Sequence, residues 1–323
     1  MRQIFATLLV LCVTSVGWIT IVRYLARPSI ATEWIDGIYA KKEAAAAKVE
    51  GPKIVIIGGS GAHYGFSGEA ITRATGIPTV NLGVHAGLGG EYLLDRAKRS
   101  LKAGDWAVMA LEPQLTVATA PSDVLAAHVL RNDIFYLWRT PRLGDAFRIL
   151  FGLTPVDVFA TQLRRLVPWT APTGRADTVS HWGDETLELS KSIAPWMRKH
   201  LQDAPPISPQ HFDPDNPPPV LAPFFAWAKE HHVQVAQAWT PLLMRPEYLE
   251  EPYRSSFASL KKVFVKAGGI PLGSATDYFQ PIDCMYDYIL HANEFGRARA
   301  SDVLAREICK ARACRPQIAA PPS

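Results

Sequence analysis

The stretch KIVIIGGSGAHYGF, residues 53–66, decides the fold. It holds four consecutive β-branched residues, Ile54 to Ile57, followed at once by Gly58-Gly59-Ser60-Gly61. A short apolar run without alternation suits a strand buried on both faces, as in a parallel sheet. Open α/β sheets bind ligands beyond the carboxyl ends of their strands, near helix N-termini and glycine-rich backbone. Gly58, Gly59 and Gly61 are read as positions that permit positive φ and remove bulk, so that Ser60 Oγ and nearby N–H groups face a ligand. Two common motifs do not fit. A G-x-G-x-x-G pattern would require glycine where Tyr64 stands, and no phosphate-loop lysine follows. The nucleophile elbow G-x-S-x-G ends here on Ala62.

Working outward, Ser67 is expected to start a helix over GEAITRAT (68–75), ended by Gly76 and Pro78. TVNLGVH (79–85) reads as a second strand, GEYLLDRAKRSL (90–101) as an amphipathic helix, and WAVMALEP (106–113) as a third strand. Strand, helix, strand, helix, strand at these spacings is a βαβαβ half-sheet. The rhythm returns near residue 220. A helix at LAPFFAWAKEHH, a strand at VQVAQAWTP and a helix at YRSSFASLKKVFVKAG follow one another, the last ending at Gly268-Gly269. A short strand at IPLGSAT, the segment DYFQPIDCMYDYILHANEFG and a helix to about Cys309 complete the chain. Between the halves, residues 121–218 are aromatic and arginine-rich, then polar and proline-rich, and read as a mostly helical insertion.

The N-terminus breaks this pattern. Ile4 to Val22 is a run of 19 residues without a formal charge, preceded by Arg2 and followed by Arg23 and Arg27. At about 1.5 Å per residue such a helix covers roughly 28 Å, close to the hydrocarbon thickness of a bilayer. A cleaved signal peptide is the competing reading, but its apolar core is shorter and ends in small residues, where this chain has arginine. We therefore expect a single-pass anchor over 1–28 in an inner membrane, with the main domain outside the cytoplasm. A helical spacer over 29–52 leads to the domain, whose halves are 53–120 and 219–323.

The 323 residues are 48% hydrophobic and 20% charged with net charge +4, and the basic residues are interleaved with acids. That argues against nucleic acid as a partner. With no CxxC pair and no H-E-x-x-H, neither a metal nor another cofactor is expected. Cys309 and Cys314 are either a disulfide at the end of the last helix, which suits an oxidising compartment, or free thiols.

A serine nucleophile needs a base, and the base an orienting acid. Of nine histidines, His291 differs from the rest because Asp287 precedes it by four residues on one short turn ahead of a helix. The other histidines are read as structural or surface residues.

The pieces GGSGAHYGF, TVNLGVHAGLG, AGDWAVMALEP and YDYILHANEFGRARASDVL resemble, in that order, the blocks of SGNH (GDSL-type) hydrolases. The nearest likeness is to the membrane-anchored envelope branch, whose relatives acylate exported polysaccharides. The resemblance covers about residues 53–113 and 219–310. It implies a three-layer α/β/α fold with a mostly parallel, flavodoxin-like sheet, with Ser60 as nucleophile, His291 as base and Asp287 as its acid. It further implies an oxyanion hole of Ser60 N–H, Gly87 N–H (Gly83 being the alternative) and Gln114. Gly61, His85 and Glu112 are expected near the substrate, and Trp138, Trp169 and Trp182 are placed to cover sugar rings or to fill a small core of the insertion. The chain departs from the family pattern in three places. Gly59 replaces the first-block aspartate, the last block is D-x-x-x-H, and no GxND block follows the third strand, where Glu112 and Gln114 stand. The activity implied is a serine O-acyltransferase or esterase on acetyl-like groups, with polysaccharide, acyl donor and a membrane-bound acyl-transfer or export protein as partners. The alternative is a subunit of this fold that binds and does not turn over.

Overall fold

The computed structural model describes residues 2–25, 30–163, 176–312 and 314. Strand β1 (Ile54–Ile57) lies inside a parallel sheet between β2 (Thr79–Asn81) and β3 (Trp106–Met109), and the order continues through β4 (Gln234–Gln237) to the fifth strand at Ile270–Pro271. Every residue of β1 and β3 is buried, which is why their sequences show no alternation. The register sets Ile54 opposite both Thr79 and Trp106, so β1 is covered along both edges. The chain leaves β1 toward β2 on one side, then crosses back to β3 on the other. That reversal falls at the carboxyl ends of β1 and β3, the place where sheets of this kind bind ligands. Ser60 follows β1 and Glu112 follows β3. A separate parallel pair joins β5 (Leu242–Leu243) to β7 (Phe279–Gln280), so the strand at 270–271 is β6.

In chain order the helices are α1 (Arg2–Thr20), α2 (Ile30–Ala47), α3 (Ser60–Gly65), α4 (Gly68–Thr75), α5 (Gly90–Ala97), α6 (Asp123–Asn132) and α7 (Leu143–Phe151). They continue with α8 (Pro155–Leu163), α9 (Pro195–Asp203), α10 (Ala222–Glu230), α11 (Tyr253–Lys266) and α12 (Glu294–Arg312). Helix α4 shows how sequence sets its limits. The Ser67 hydroxyl accepts the Ala70 N–H at 3.1 Å, and Gly76, at φ 73°, ends the helix in a left-handed turn.

Two compact units emerge. One holds Met1–Ile38, Gly87–Gly89 and Thr119–Arg175; the other, the sheet unit, holds Tyr39–Ala86, Gly90–Ala118 and Ala176–Ser323. In the first, Arg2–Tyr24 is long and apolar enough to cross a membrane, with mean hydropathy 2.2 and none of its apolar window buried.

Three expectations need correction. Strand β2 stops at Asn81, not at residue 85, because the Asn81 side chain accepts the Gly83 N–H at 2.8 Å and donates to the Ala62 and Phe66 carbonyls, turning the chain toward α3. The insertion is shorter than 121–218, since residues from Ala176 onward belong to the sheet unit. There Asp184 accepts from Ser67 Oγ and Gly68 N, while Leu201 packs with Leu242 and Tyr248. The spacer over 29–52 is not a free stalk. From Tyr39 onward α2 is built into the sheet unit, with Lys42 fully buried and Glu43 paired to Arg96. The sulfurs of Cys309 and Cys314 form a disulfide at the end of α12, while Cys12 and Cys284 are free.

Candidate active site

Ser60 is the first residue of α3, three residues beyond the end of β1. Its Oγ lies 2.9 Å from His291 Nε2, and His291 Nδ1 lies 2.7 Å from Asp287 Oδ1. An ionised carboxylate only accepts, so Nδ1 carries the proton and Nε2 is left to accept the serine hydroxyl. The three side chains come from two stretches 227 positions apart, as counted from Ser60 to Asp287, and only the tertiary fold joins them. Asp287 and His291 sit in one tight loop ahead of α12, where the His291 N–H donates to Tyr288 O at 2.9 Å and the Tyr286 N–H to His291 O at 2.8 Å. Asn293 fixes this loop by donating from Nδ2 to Asp283 O at 2.8 Å. The Tyr64 ring lies 4.8 Å from the His291 ring, and the Tyr288 ring 5.3 Å from it. Asp287 is 36% exposed and His291 17%, so the carboxyl end of the set meets solvent, and Ser60 is half-buried.

Around the serine the glycines answer to space and not to backbone angle. None of Gly58, Gly59 and Gly61 has positive φ, contrary to expectation. A Cβ on Gly58 would stand 2.3 Å from Ala110 O, and one on Gly59 2.6 Å from Glu112 Oε1. Glu112, 1% exposed, accepts the Gly59 N–H at 3.0 Å on one oxygen and the Gly61 N–H at 2.7 Å on the other. Burial raises its pKa, and the two N–H bonds oppose that rise. Glu112 therefore braces the serine turn. Gly61, expected near substrate, is buried with its N–H taken by Glu112.

The other expected residues scatter. His85 is half-buried, and burial followed by the neighbouring His291 lowers its pKa, which keeps it neutral near pH 7. Gly83 offers no free donor, because its N–H goes to Asn81 and its carbonyl accepts Lys42 Nζ at 2.6 Å. Gly87 falls in the first unit, in a turn over Ala86–Leu88, and its carbonyl accepts the Ser122 hydroxyl. Gln114 sits half-buried in the turn Pro113–Thr116 that follows β3. No carbonyl or carboxylate among the described residues accepts the Ser60 N–H. Trp138 and Trp182 belong to different units, and Trp169 lies outside the described residues.

Sequence reasoning missed the layer beneath the serine helix. Lys42 Nζ lies 3.0 Å from His63 Nδ1, and His63 Nε2 faces Glu185 Oε2 at 3.5 Å, all three buried. Burial, helped by Lys42, lowers the His63 pKa to about 4, and burial lowers that of Lys42 to about 7. His63 is thus a neutral imidazole set between a lysine and a carboxylate. Nothing in the Ala-rich sequence around Lys42 marks it as buried. Tyr64 had a weak signal, being one turn from Ser60 on the same short helix. No family model, curated protein or solved structure matches the chain.

Proposed function

We propose that the chain is a membrane-anchored serine-dependent O-acyltransferase or esterase of SGNH type. Its substrates would be acyl groups, acetyl foremost, of an exported envelope polysaccharide. The observation that carries this reading is the continuous Ser60–His291–Asp287 hydrogen-bond line at 2.9 and 2.7 Å. Those distances are the hydrogen-bond reach that nucleophile, base and orienting acid require. Ser60 Oγ attacks the acyl carbonyl as His291 Nε2 takes its proton, and Asp287 holds the imidazolium that forms. The Ser60 N–H stands beside the developing oxyanion, and Gln114 is the proposed side-chain donor. Collapse breaks the carbonyl–leaving-group bond, His291 protonates the leaving group, and an acyl ester remains on Ser60. Water or a sugar hydroxyl, deprotonated by His291, then releases the acyl group. The polysaccharide, the acyl donor and the three-layer α/β/α reading come from the ordered sequence blocks, and the parallel sheet with Ser60 at its reversal agrees with them.

The test is fluorophosphonate labelling and ester hydrolysis by the full chain in detergent, beside Ser60→Ala and His291→Ala. Labelling that vanishes in both variants is expected. A folded wild-type chain that takes no label overturns the catalytic reading. One observation favours the alternative of a non-catalytic binding subunit: Glu112 occupies two N–H groups of the serine turn, where an asparagine donor would serve an oxyanion.

A further inference from the structure

The first unit exposes apolar surface out of proportion to its size. Between residues 135 and 163, eight large apolar side chains are exposed, against six among the described residues of the sheet unit. They follow helical periods. On α7, Leu143, Phe147 and Phe151 lie on one face at 75%, 54% and 47% exposure, while Ile149 on the opposite face is buried. On α8, Val156, Phe159 and Leu163 are exposed as well, though none of the described side chains of that helix is buried. Phe135 and Trp138 extend it from the turn ahead of α7, with Trp138 87% exposed. An isolated exposed leucine means nothing; two consecutive helices with aromatic outer faces require a cover.

The same unit fixes where this surface stands. Helix α6 packs on the turn Ile21–Leu25 that ends the apolar N-terminal helix. Arg131 Nη1 donates to Val22 O at 3.4 Å, and His128 Nδ1 is 2.6 Å from Asp36. Helix α7 and the turn Ile134–Trp138 pack on α6 in turn. A ten-residue helix such as α6 is about 15 Å long, so the exposed side chains of α7 and of the Ile134–Trp138 turn lie within roughly one helix length of the membrane exit, and α8 follows α7 after three residues. The interfacial layer of a bilayer is several ångströms deep on each side, a depth suited to aromatic side chains. Charge adds little. Asp133 accepts from Arg139 at 3.0 Å and Asp145 from Arg142 at 2.5 Å, so apolar area, and not attraction to anionic lipid, supplies the driving force.

We propose that α7, α8 and the Phe135–Trp138 turn form a second membrane contact, lying in the interfacial layer of the bilayer that α1 enters. This inference is independent of any chemistry at Ser60 and rests on the reading of α1 as a membrane helix.

The test uses the full chain in two sets of phosphatidylcholine vesicles, one brominated near the headgroup to reach the interface and one near the acyl-chain ends to reach Cys12 at mid-helix. A fluorophore is attached at residue 138, 147 or 159 through Trp138→Cys, Phe147→Cys or Phe159→Cys in a Cys12→Ser background, Cys284 being buried. Native Cys12, labelled alone, reports on α1. Loss of about half the emission or more at 138, 147 and 159, relative to the same proteins in unbrominated vesicles, is expected for side chains in the interface. Quenching at Cys12 without quenching at these sites overturns the proposal and keeps the membrane helix. Quenching at neither overturns both. Blue-shifted but unquenched emission at the three sites means a protein cover, such as a second copy, and also overturns it. Quenching at the three sites but not at Cys12 also overturns it, because the contact is proposed for the bilayer that α1 enters.

Discussion

Glu112 is the residue on which the serine turn depends, and its position was legible where its role was not. The chain LEPQ after β3 points to Glu112 as an element of the site, yet only the structure pairs its two oxygens with the N–H groups flanking Ser60. Glu112→Gln keeps the shape but leaves one oxygen for two donors and turns an NH2 toward an N–H. A buried donor without an acceptor costs about 1–3 kcal/mol, so a fall in thermal midpoint and a weaker reaction of Ser60 with fluorophosphonate are expected. The pH dependence has a definite sign. The folded pKa of Glu112 is raised by burial, so its contribution is fully present below the ordinary value of 4.5 and is lost as pH rises through the raised value. Wild type should lose stability relative to Glu112→Gln from pH 4 toward neutrality, which thermal melts at each pH will show. Asp287 behaves differently because it is 36% exposed. General-base assistance is worth about 10²–10⁴-fold, and water can partly replace a solvent-facing carboxylate, so Asp287→Asn should lose on the order of 10²-fold in kcat. A loss as complete as that of Ser60→Ala would show that exposure does not weaken its role.

At the scale of elements, what could be read from sequence was what local physics decides. Helix α4 carries its own cap and its own glycine stop, β1 and β3 are apolar throughout, and α11 shows its period. What could not be read was set at long range. Asn81 ends β2 with a side chain that looks like any strand polar residue. Outside α9, residues 176–218 show no periodicity, and they join the sheet unit through scattered side chains such as Asp184 and Leu201. Helix α2 is the clearest case, since an Ala-rich stretch with lysines suits a solvated stalk equally well until Lys42 is seen inside the domain. Lys42 faces His63, Asp184 and Glu185, with Arg297 charged nearby. Its pKa is lowered to about 7, chiefly by burial. A lowered pKa means that the stability contribution is present above the unfolded value of 10.5 and lost as pH falls through the folded one. Wild type should therefore gain stability relative to Lys42→Met between about pH 7 and pH 10, as read by denaturant midpoints. Parallel curves for the two proteins across that range would mean that the ammonium is not desolvated.

For the whole molecule, the open question is on which side of a membrane the sheet unit works and whether its N-terminal helix stays attached. Sequence leaves orientation undecided, because Arg2 with the free amino terminus opposes Arg23 and Arg27. The thiols decide both points together. Cys309 and Cys314 are bonded, Cys284 is buried and free, and Cys12 lies inside the apolar helix. Such a bridge persists in an oxidising compartment and is rare in a reducing one. Chain isolated from its own membranes, denatured and treated with a maleimide mass tag should gain two tags before reduction and four after it. One tag before and three after would mean that the segment bearing Cys12 has been removed, so that the helix is a leader and the sheet unit is released. Four tags in both samples would mean that Cys309 and Cys314 are reduced where the protein works. An exported polysaccharide would then be out of reach of Ser60, and the acyl acceptor would have to be sought inside the cell.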